Sequence, residues 1–220
     1  MAAVSALRSG KTSIIKAKFH SSTGFSSVLA CGMIELSIPG EEAGNKMRDT
    51  LQITIKPVEE AQLDILEQAF DPDSLSKYHY KRFEVQKSGA GVYLIAWHNY
   101  TPVGHFLLYW SGPYDAQVTR YLDITSRAFL QAGATKSEFQ RRGVATALIQ
   151  EAERLAAEKR CTHIGLEVGS TDNPGAKRLY EKLGYVDWGR GEFEIQWEHI
   201  DKHGNKRIFS EMVTYMQKSL

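Results

Sequence analysis

Two short stretches bring together residue types that could act on one extended, anionic substrate. The first, Gln140-Arg141-Arg142-Gly143-Val144-Ala145-Thr146, reads as a turn opening into a helix. A helix N-terminus presents unpaired N–H groups and about half a positive charge, which suits a phosphate. Gly143 admits close backbone approach and a positive φ. Val144 starts the apolar stripe, Ala145 keeps the next turn slim, and Thr146 adds a hydroxyl donor. Gln140 offers an amide, while Arg141, Arg142 and Lys136 add positive charge. Taken alone, the motif equally fits a surface helix start with solvated arginines.

The second stretch begins 33 residues after Gln140, at Asn173. Asp172 and Asn173 suit a helix cap, with Pro174 at the first helical position. Asn173, Ala176 and Tyr180 then recur at spacings of three and four, so they share one helix face. A small residue between two polar ones leaves room for a pantetheine arm. The Asn173 amide can bond that arm, and the Tyr180 phenol can reach a sulfur. Tyr180 could also be an ordinary core tyrosine, but Leu179 and Leu183 already supply the apolar packing, and a buried phenol needs a partner. Together the stretches describe a site that grips a pyrophosphate at one end and protonates a thiolate leaving group at the other, which points to acyl transfer from coenzyme A.

The elements that must position these groups follow from hydrophobic period. Residues 51–55 alternate with period two and read as a strand. Pro57 suits the first turn of a helix whose stripe is Leu63, Leu66 and Phe70. The 71–74 stretch breaks it and caps a second helix, about 74–87. Residues 92–97 and 103–110 form a hairpin around a 98–102 turn. Residues 111–125 are poorly patterned, a loop with some strand. Residues 129–135 make the next strand, its Gly133-Ala134-Thr135 end of weak strand propensity. Val144, Leu148, Ala152 and Leu155 make the buried stripe of a helix at 143–159. A strand at 163–168, a helix at 173–183 ended by Gly184, and a hairpin of 193–200 with 207–215 complete the order. The result is an α/β chain with a mixed sheet and helices on its faces.

The paired motifs resemble those of the GNAT superfamily of acyl-CoA N-acyltransferases: Gln140 through Ala145, then Asn-Pro-x-Ala-x-x-Leu-Tyr-x-x-x-Gly-Tyr at 173–185. The element order resembles that fold across roughly 50–220. The resemblance implies a mostly antiparallel sheet in which two neighbouring parallel strands, ending near Thr135 and Val168, splay apart with acetyl-CoA in the gap. It implies that the amides of Gly133 and Thr135 hold the arm and polarise the acetyl carbonyl. Amides of Arg142, Gly143, Val144, Ala145 and Thr146 would hold the pyrophosphate, and Tyr180 would be the general acid. This sequence departs from the pattern in two ways. The slim Gly133-Ala134-Thr135 end implies a wider acyl slot, and the 169–172 link is one residue longer than usual, which loosens the aim of Asn173.

An alkyl ammonium must lose a proton before it attacks a thioester. Glu167 resembles a position used as base in some family members, and a solvent-facing strand residue is an equal reading of it. Asp123, Glu138 and His105 are rivals, His105 reading better as a satisfied core histidine. No cysteine sits at either motif, so direct attack in a ternary complex is expected; Cys161 reads as structural. The acceptor is a small-molecule or peptide amine. Its wall candidates are Tyr78, Tyr80, Phe83, Trp188 and Trp197, for most of which plain packing is the better reading. Arg190, Glu192 and Glu194 are candidates for recognising charge. A silent acyl-CoA sensor and a nucleotide-binding module are the competing functions; the latter lacks the Lys-Ser/Thr of a P-loop.

Composition sets the remaining bounds. The 220 residues carry a net charge of +1, so no basic field marks a nucleic-acid partner. No apolar run reaches the ~18 residues of a membrane span. Two cysteines give neither a disulfide framework nor zinc spacing, and no metal is expected. Residues 1–34 hold four basic side chains and no acidic one. The stretch 1–48 is read as a flexible, Ser-rich basic extension ahead of a 49–220 domain. It is either a tail or a start set upstream of Met33 or Met47, in a cytoplasmic protein; an organellar transit segment is the alternative. The edge strands of the closing hairpin need cover, which a homodimer would provide.

Overall fold

The computed structural model describes residues 34–38, 51–112, 114–169 and 174–220. Eight strands form one sheet: β1 (Ile34–Ile38), β2 (Leu51–Pro57), β3 (Gly91–His98), β4 (Thr101–Tyr109), β5 (Arg127–Thr135), β6 (His163–Gly169), β7 (Val186–Ile200) and β8 (Lys206–Ser219). Their spatial order is β1-β2-β3-β4-β5-β6-β8-β7. Every pairing is antiparallel except β5 with β6. The sheet thus reaches upstream of the boundary read at residue 48, since Ile34–Ile38 pairs with β2.

Period-two alternation sends the two sides of each strand into different cores. On β3, Val92, Leu94 and Ala96 face α4 (Val144–Glu158) and α5 (Pro174–Lys182), with Leu148, Ala152 and Tyr180 in the same cluster. Tyr93 and Ile95 point the other way, against Leu63 and Leu66 of α1 (Leu63–Phe70) and the flank of α2 (Tyr78–Lys87). Helices therefore cover both faces, as expected.

Several local expectations shift for identifiable reasons. Pro57 ends β2 instead of opening a helix, because the next N–H, of Val58, extends the ladder to Tyr93 O at 2.9 Å. The second helix begins at Tyr78, four residues late. Leu75 N–H donates to Ile200 O at 2.8 Å, and Ser74 bridges to Asp201, so β7 holds this segment extended. The orphan N–H groups of α2 are met by a side chain of α1: Glu67 Oε1 accepts from His79 N at 2.9 Å. The poorly patterned 111–125 stretch contains a short helix, α3 (Ala116–Thr119), where the expectation is a loop with some strand. Asp115 caps it by accepting from Gln117 N at 2.7 Å. The β3–β4 turn needs only Asn99 and Tyr100, both at positive φ (47° and 64°). The closing hairpin starts at Val186 and is interrupted between Asp187 and Glu192, where Gly189 and Gly191 take positive φ. Among the described residues no helix is long and apolar enough to cross a membrane.

Candidate active site

The parallel pair opens as it runs. Pairing of β5 with β6 spans Arg127↔His163 to Leu130↔Leu166 and stops, although the strands continue to Thr135 and Gly169. Beyond Leu130, β5 keeps only β4, across a register shift and with Ala132 at φ 54°. Lys136 N–H donates to Val103 O of β4 at 3.0 Å. By alternation the Thr135 N–H points to the opposite edge, into the gap, while Gly133 lies within the register shift. Gln140 Nε2 donates to Thr135 O at 3.2 Å, tying the following turn to that edge.

The helix start lies on the same gap. Arg141 (φ 58°) and Gly143 (φ 85°) are both left-handed, and Gly143 is the residue on which α4 begins. A cavity of about 490 Å³ is lined by Gly133, Thr135, Gln140, Arg141, Gly143 through Thr146, Ala176 and Tyr180. Its volume is within the usual range for small-molecule sites. The phenol of Tyr180 thus shares one cavity with the phosphate-type turn. Burial pushes its pKa up to about 12, so it stays protonated at neutral pH. The slim end of β5 does not widen the slot. A side chain at Gly133 would meet the Phe106 ring at 2.0 Å, so Phe106 of β4 fills that volume.

A second cavity, about 970 Å³, opens on the α1–α2 side of the splay. Glu167 of β6 lines it, with Oε1 buried and without a hydrogen-bond partner among the described residues. Burial first, and the neighbouring Asp115 carboxylate second, push the Glu167 pKa up to about 7. A carboxyl poised there exchanges a proton near neutrality. Tyr78, Glu194 and Trp197 line the same cavity, with Tyr78 stacked on His199 and donating to Glu198 O at 2.7 Å. Behind the wall, His79 bridges Tyr93 Oη (2.6 Å) and Asp71 Oδ2 (3.1 Å), which fixes α2 against β3.

With this geometry in view, comparison with known proteins is decisive. Residues 58–185 match the acetyltransferase (GNAT) family. The chain belongs to that family. Membership makes this GNAT protein an acyltransferase in class, of a family that acts on amine acceptors. Among curated protein sequences none matches. Solved structures match in fold. A ribosomal-protein-alanine N-acetyltransferase from Brucella melitensis is 16% identical, with 76% of this chain and 99% of that one covered and a TM-score of 0.54. The GNAT domain of PAT from S. lividans is 17% identical, covering 86% and 97%, with a TM-score of 0.57. The yncA protein from Salmonella typhimurium, solved with acetyl-CoA, is 15% identical, covering 76% and 94%, with a TM-score of 0.51.

Some residues singled out in the sequence lie elsewhere in the GNAT fold. Arg142 does not line the cofactor cavity; its guanidinium lies over the Phe139 ring at 5.4 Å. Asn173 falls outside the described residues. Asp123 and Glu138 are exposed, with pKa values lowered by local hydrogen bonds, Asp123 mainly by the Thr125 N–H. His105 is buried, and burial holds its pKa well below the usual value, so it is neutral. None of the three lines either cavity. Tyr80 donates to Asp64, Phe83 packs against the α1–β3 core, and Trp188 donates to Gly191 O at 2.8 Å. Arg190 sits over Tyr121 at 4.3 Å. Cys161 is packed in the main core, its pKa raised by burial. Residues that the sequence reading missed include Arg82 and Asp115 in the Glu167 cavity and Gly175 in the Tyr180 cavity. A glycine directly after the Pro174 helix start was the only available signal for any of them.

Proposed function

We propose that this protein is an N-acetyltransferase that moves the acetyl group of acetyl-CoA to a primary amine by direct attack in a ternary complex. The observation that carries the reading is the shared cavity: a left-handed glycine turn at a helix start and a protonated, buried phenol line one cleft, and the buried Glu167 carboxyl lines the cavity beside it. The yncA structure, which holds acetyl-CoA, supports the choice of donor.

In this reading the N–H groups of Arg142 through Thr146 bind the pyrophosphate, those of Gly133 and Thr135 hold the arm and polarise the carbonyl, and Asn173 and Ala176 border the pantetheine. Glu167 accepts the ammonium proton, directly or through water. The freed amine lone pair forms the new C–N bond, the C–S bond breaks, and the departing sulfur takes the Tyr180 proton. Proton exchange through solvent restores both groups. A cytoplasmic setting and a homodimer covering the β7 edge remain part of the proposal.

The test is a panel of primary amines with acetyl-CoA, scored by released thiol. Thiol release that depends on amine, with Tyr180→Phe lowering turnover while coenzyme A binding persists, supports the reading. A protein that binds acyl-CoA but releases no thiol with any amine is a sensor instead.

A further inference from the structure

We infer that the acceptor is a primary amine that also carries a carboxylate, with Arg82 as the group that receives it. The inference rests on the transferase reading above and adds the substrate class. Its basis is a pair of side chains of opposite charge in the walls of one cavity, each with one buried atom that has no hydrogen-bond partner among the described residues. On β6, Glu167 Oε1 is buried without a partner among the described residues. On α2, Arg82 Nη1 is likewise buried without a partner. Buried polar atoms in a folded protein are paired as a rule, and side chains with spare hydrogen-bonding capacity on a cavity wall mark where a ligand can supply partners.

The chemistry of each wall is specific. Glu167 accepts a proton or an N–H, and so faces the amine. Arg82 offers only donors, in the planar fork that suits a carboxylate. The fork is held: its guanidinium carbon lies 5.6 Å from the Tyr78 ring centroid and 6.0 Å from that of Tyr93. Lys81 Nζ, also on the cavity wall, lies 5.6 Å from the Tyr78 centroid and adds a second positive charge. Among the described residues neither cation has a carboxylate within ion-pair distance. Asp71 is near enough to feel the charge of Arg82, but its Oδ2 is engaged by His79 at 3.1 Å. That acid is therefore already committed, and Arg82, which also bonds the Tyr93 phenol, keeps others of its five donors for an incoming group.

The carboxylate could belong to a free amino acid or to an acidic side chain of a peptide. The experiment separates them. Acetyl transfer is measured for ω-amino acids of increasing length against alkylamines of equal length. In parallel it is measured for short peptides with an acidic or an amide residue near a free N-terminus. The expected result is a kcat/KM at least about tenfold higher for the carboxylate member in one arm, and that arm names the source. Arg82→Met should lower kcat/KM for the carboxylate member at least about tenfold more than for its neutral isostere, with Lys81→Met acting in the same direction and less. A purely structural role for Arg82 would lower both members alike. The inference is overturned if carboxylate and neutral acceptors are used equally, or if the preference survives Arg82→Met; the transferase reading stands in either case. If no amine releases thiol, that reading falls and takes this inference with it.

Discussion

On the side of Gly133 and Gly143, the cleft is walled by backbone and small side chains from β5, α4 and α5. On the side of Glu167 it is walled by charged and aromatic side chains drawn from α2, β4, β6 and β7 and from the cap of α3. Under the proposed function, the difference follows from the ligands. A pyrophosphate and a pantetheine arm are the same for every acyl-CoA, and N–H groups fixed by secondary structure serve them. An amine acceptor must be discriminated, which takes side chains of particular charge and shape. The cofactor wall should therefore be sensitive to added bulk and indifferent to nearby charge, and the acceptor wall the reverse.

The exception on the Gly133 and Gly143 wall is Tyr180, the proposed acid. Tyr180→Phe is expected to lower kcat by about 10²–10⁴-fold, the usual worth of a positioned proton donor. Coenzyme A affinity, measured by calorimetry, should change little, because the phenyl ring keeps its packing against Tyr185 at 5.7 Å. A variant with unchanged kcat would leave the sulfur without an identified acid.

Glu167 is the matching case on the other wall, and it ties activity to stability. As the base it must be ionised, so kcat/KM should rise with pH through about 7, the pKa that burial gives it. Glu167→Gln should lose most activity and flatten that limb. The fold favours the neutral carboxyl. Stability from this group is thus fully present below its unfolded pKa near 4.5 and is lost as pH rises through about 7. The shift corresponds to at most about 3 kcal/mol at pH 8. Glu167→Gln should then melt several degrees higher than wild type at pH 8 and about equally at pH 5. Equal melting temperatures at both pH values would mean that Glu167 is solvated and not poised. Tyr180, raised to about 12, imposes no such dependence in this range.

The same division explains what could be read from the chain. The cofactor wall was legible because its parts are local. A turn, a helix start and a second helix 33 residues on are each a contiguous pattern. The chain order of the elements from residue 51 on and the buried stripes of the helices followed from period, whereas the parallel pair was implied only by the family resemblance and β1 was not foreseen. The Glu167 wall was legible only in part: Tyr78, Glu167, Glu194 and Trp197 were candidates, but the remaining members meet them only through the fold. Nothing in the sequence singled out Arg82 or Asp115, which enter this wall from α2 and from the cap of α3. Tyr78 and Trp197 stood out as aromatics but had no stated neighbours. Element ends failed where distant chain intervened: Leu75 is held by Ile200, 125 positions away, and no local signal near residue 75 reports that. Gly133 shows the same limit, its empty side-chain position being filled by Phe106 of another strand.

Gly133 gives a test of the bulk rule. Gly133→Ala would set a Cβ 2.0 Å from the Phe106 ring, so either the ring or the β5 backbone must move. Overpacking of this kind costs about 1–3 kcal/mol, and a displaced β5 edge misaims the N–H groups of Gly133 and Thr135. Turnover should fall by more than the change in acetyl-CoA affinity. Adding Phe106→Leu to the variant should restore part of both stability and kcat. If the double variant recovers stability alone, the edge geometry is not what limits turnover.

The smallest effects compare two adjacent residues at the phosphate turn. Gly143 sits at φ 85°, where a Cβ costs about 1–2 kcal/mol. Gly143→Ala should weaken coenzyme A binding by roughly tenfold, because relieving the strain rotates the N–H groups that open α4. Arg142, packed over Phe139 and outside the cavity lining, supplies an exposed charge worth about 0–1 kcal/mol. Arg142→Ala should therefore weaken binding by less than about fivefold, and the loss should shrink at high salt, whereas the Gly143→Ala loss should persist. Calorimetry at two ionic strengths separates the cases. Should Arg142→Ala cost more than Gly143→Ala, the pyrophosphate is held by charge rather than by backbone, and the contrast between the two walls fails at the place where it is most sharply drawn.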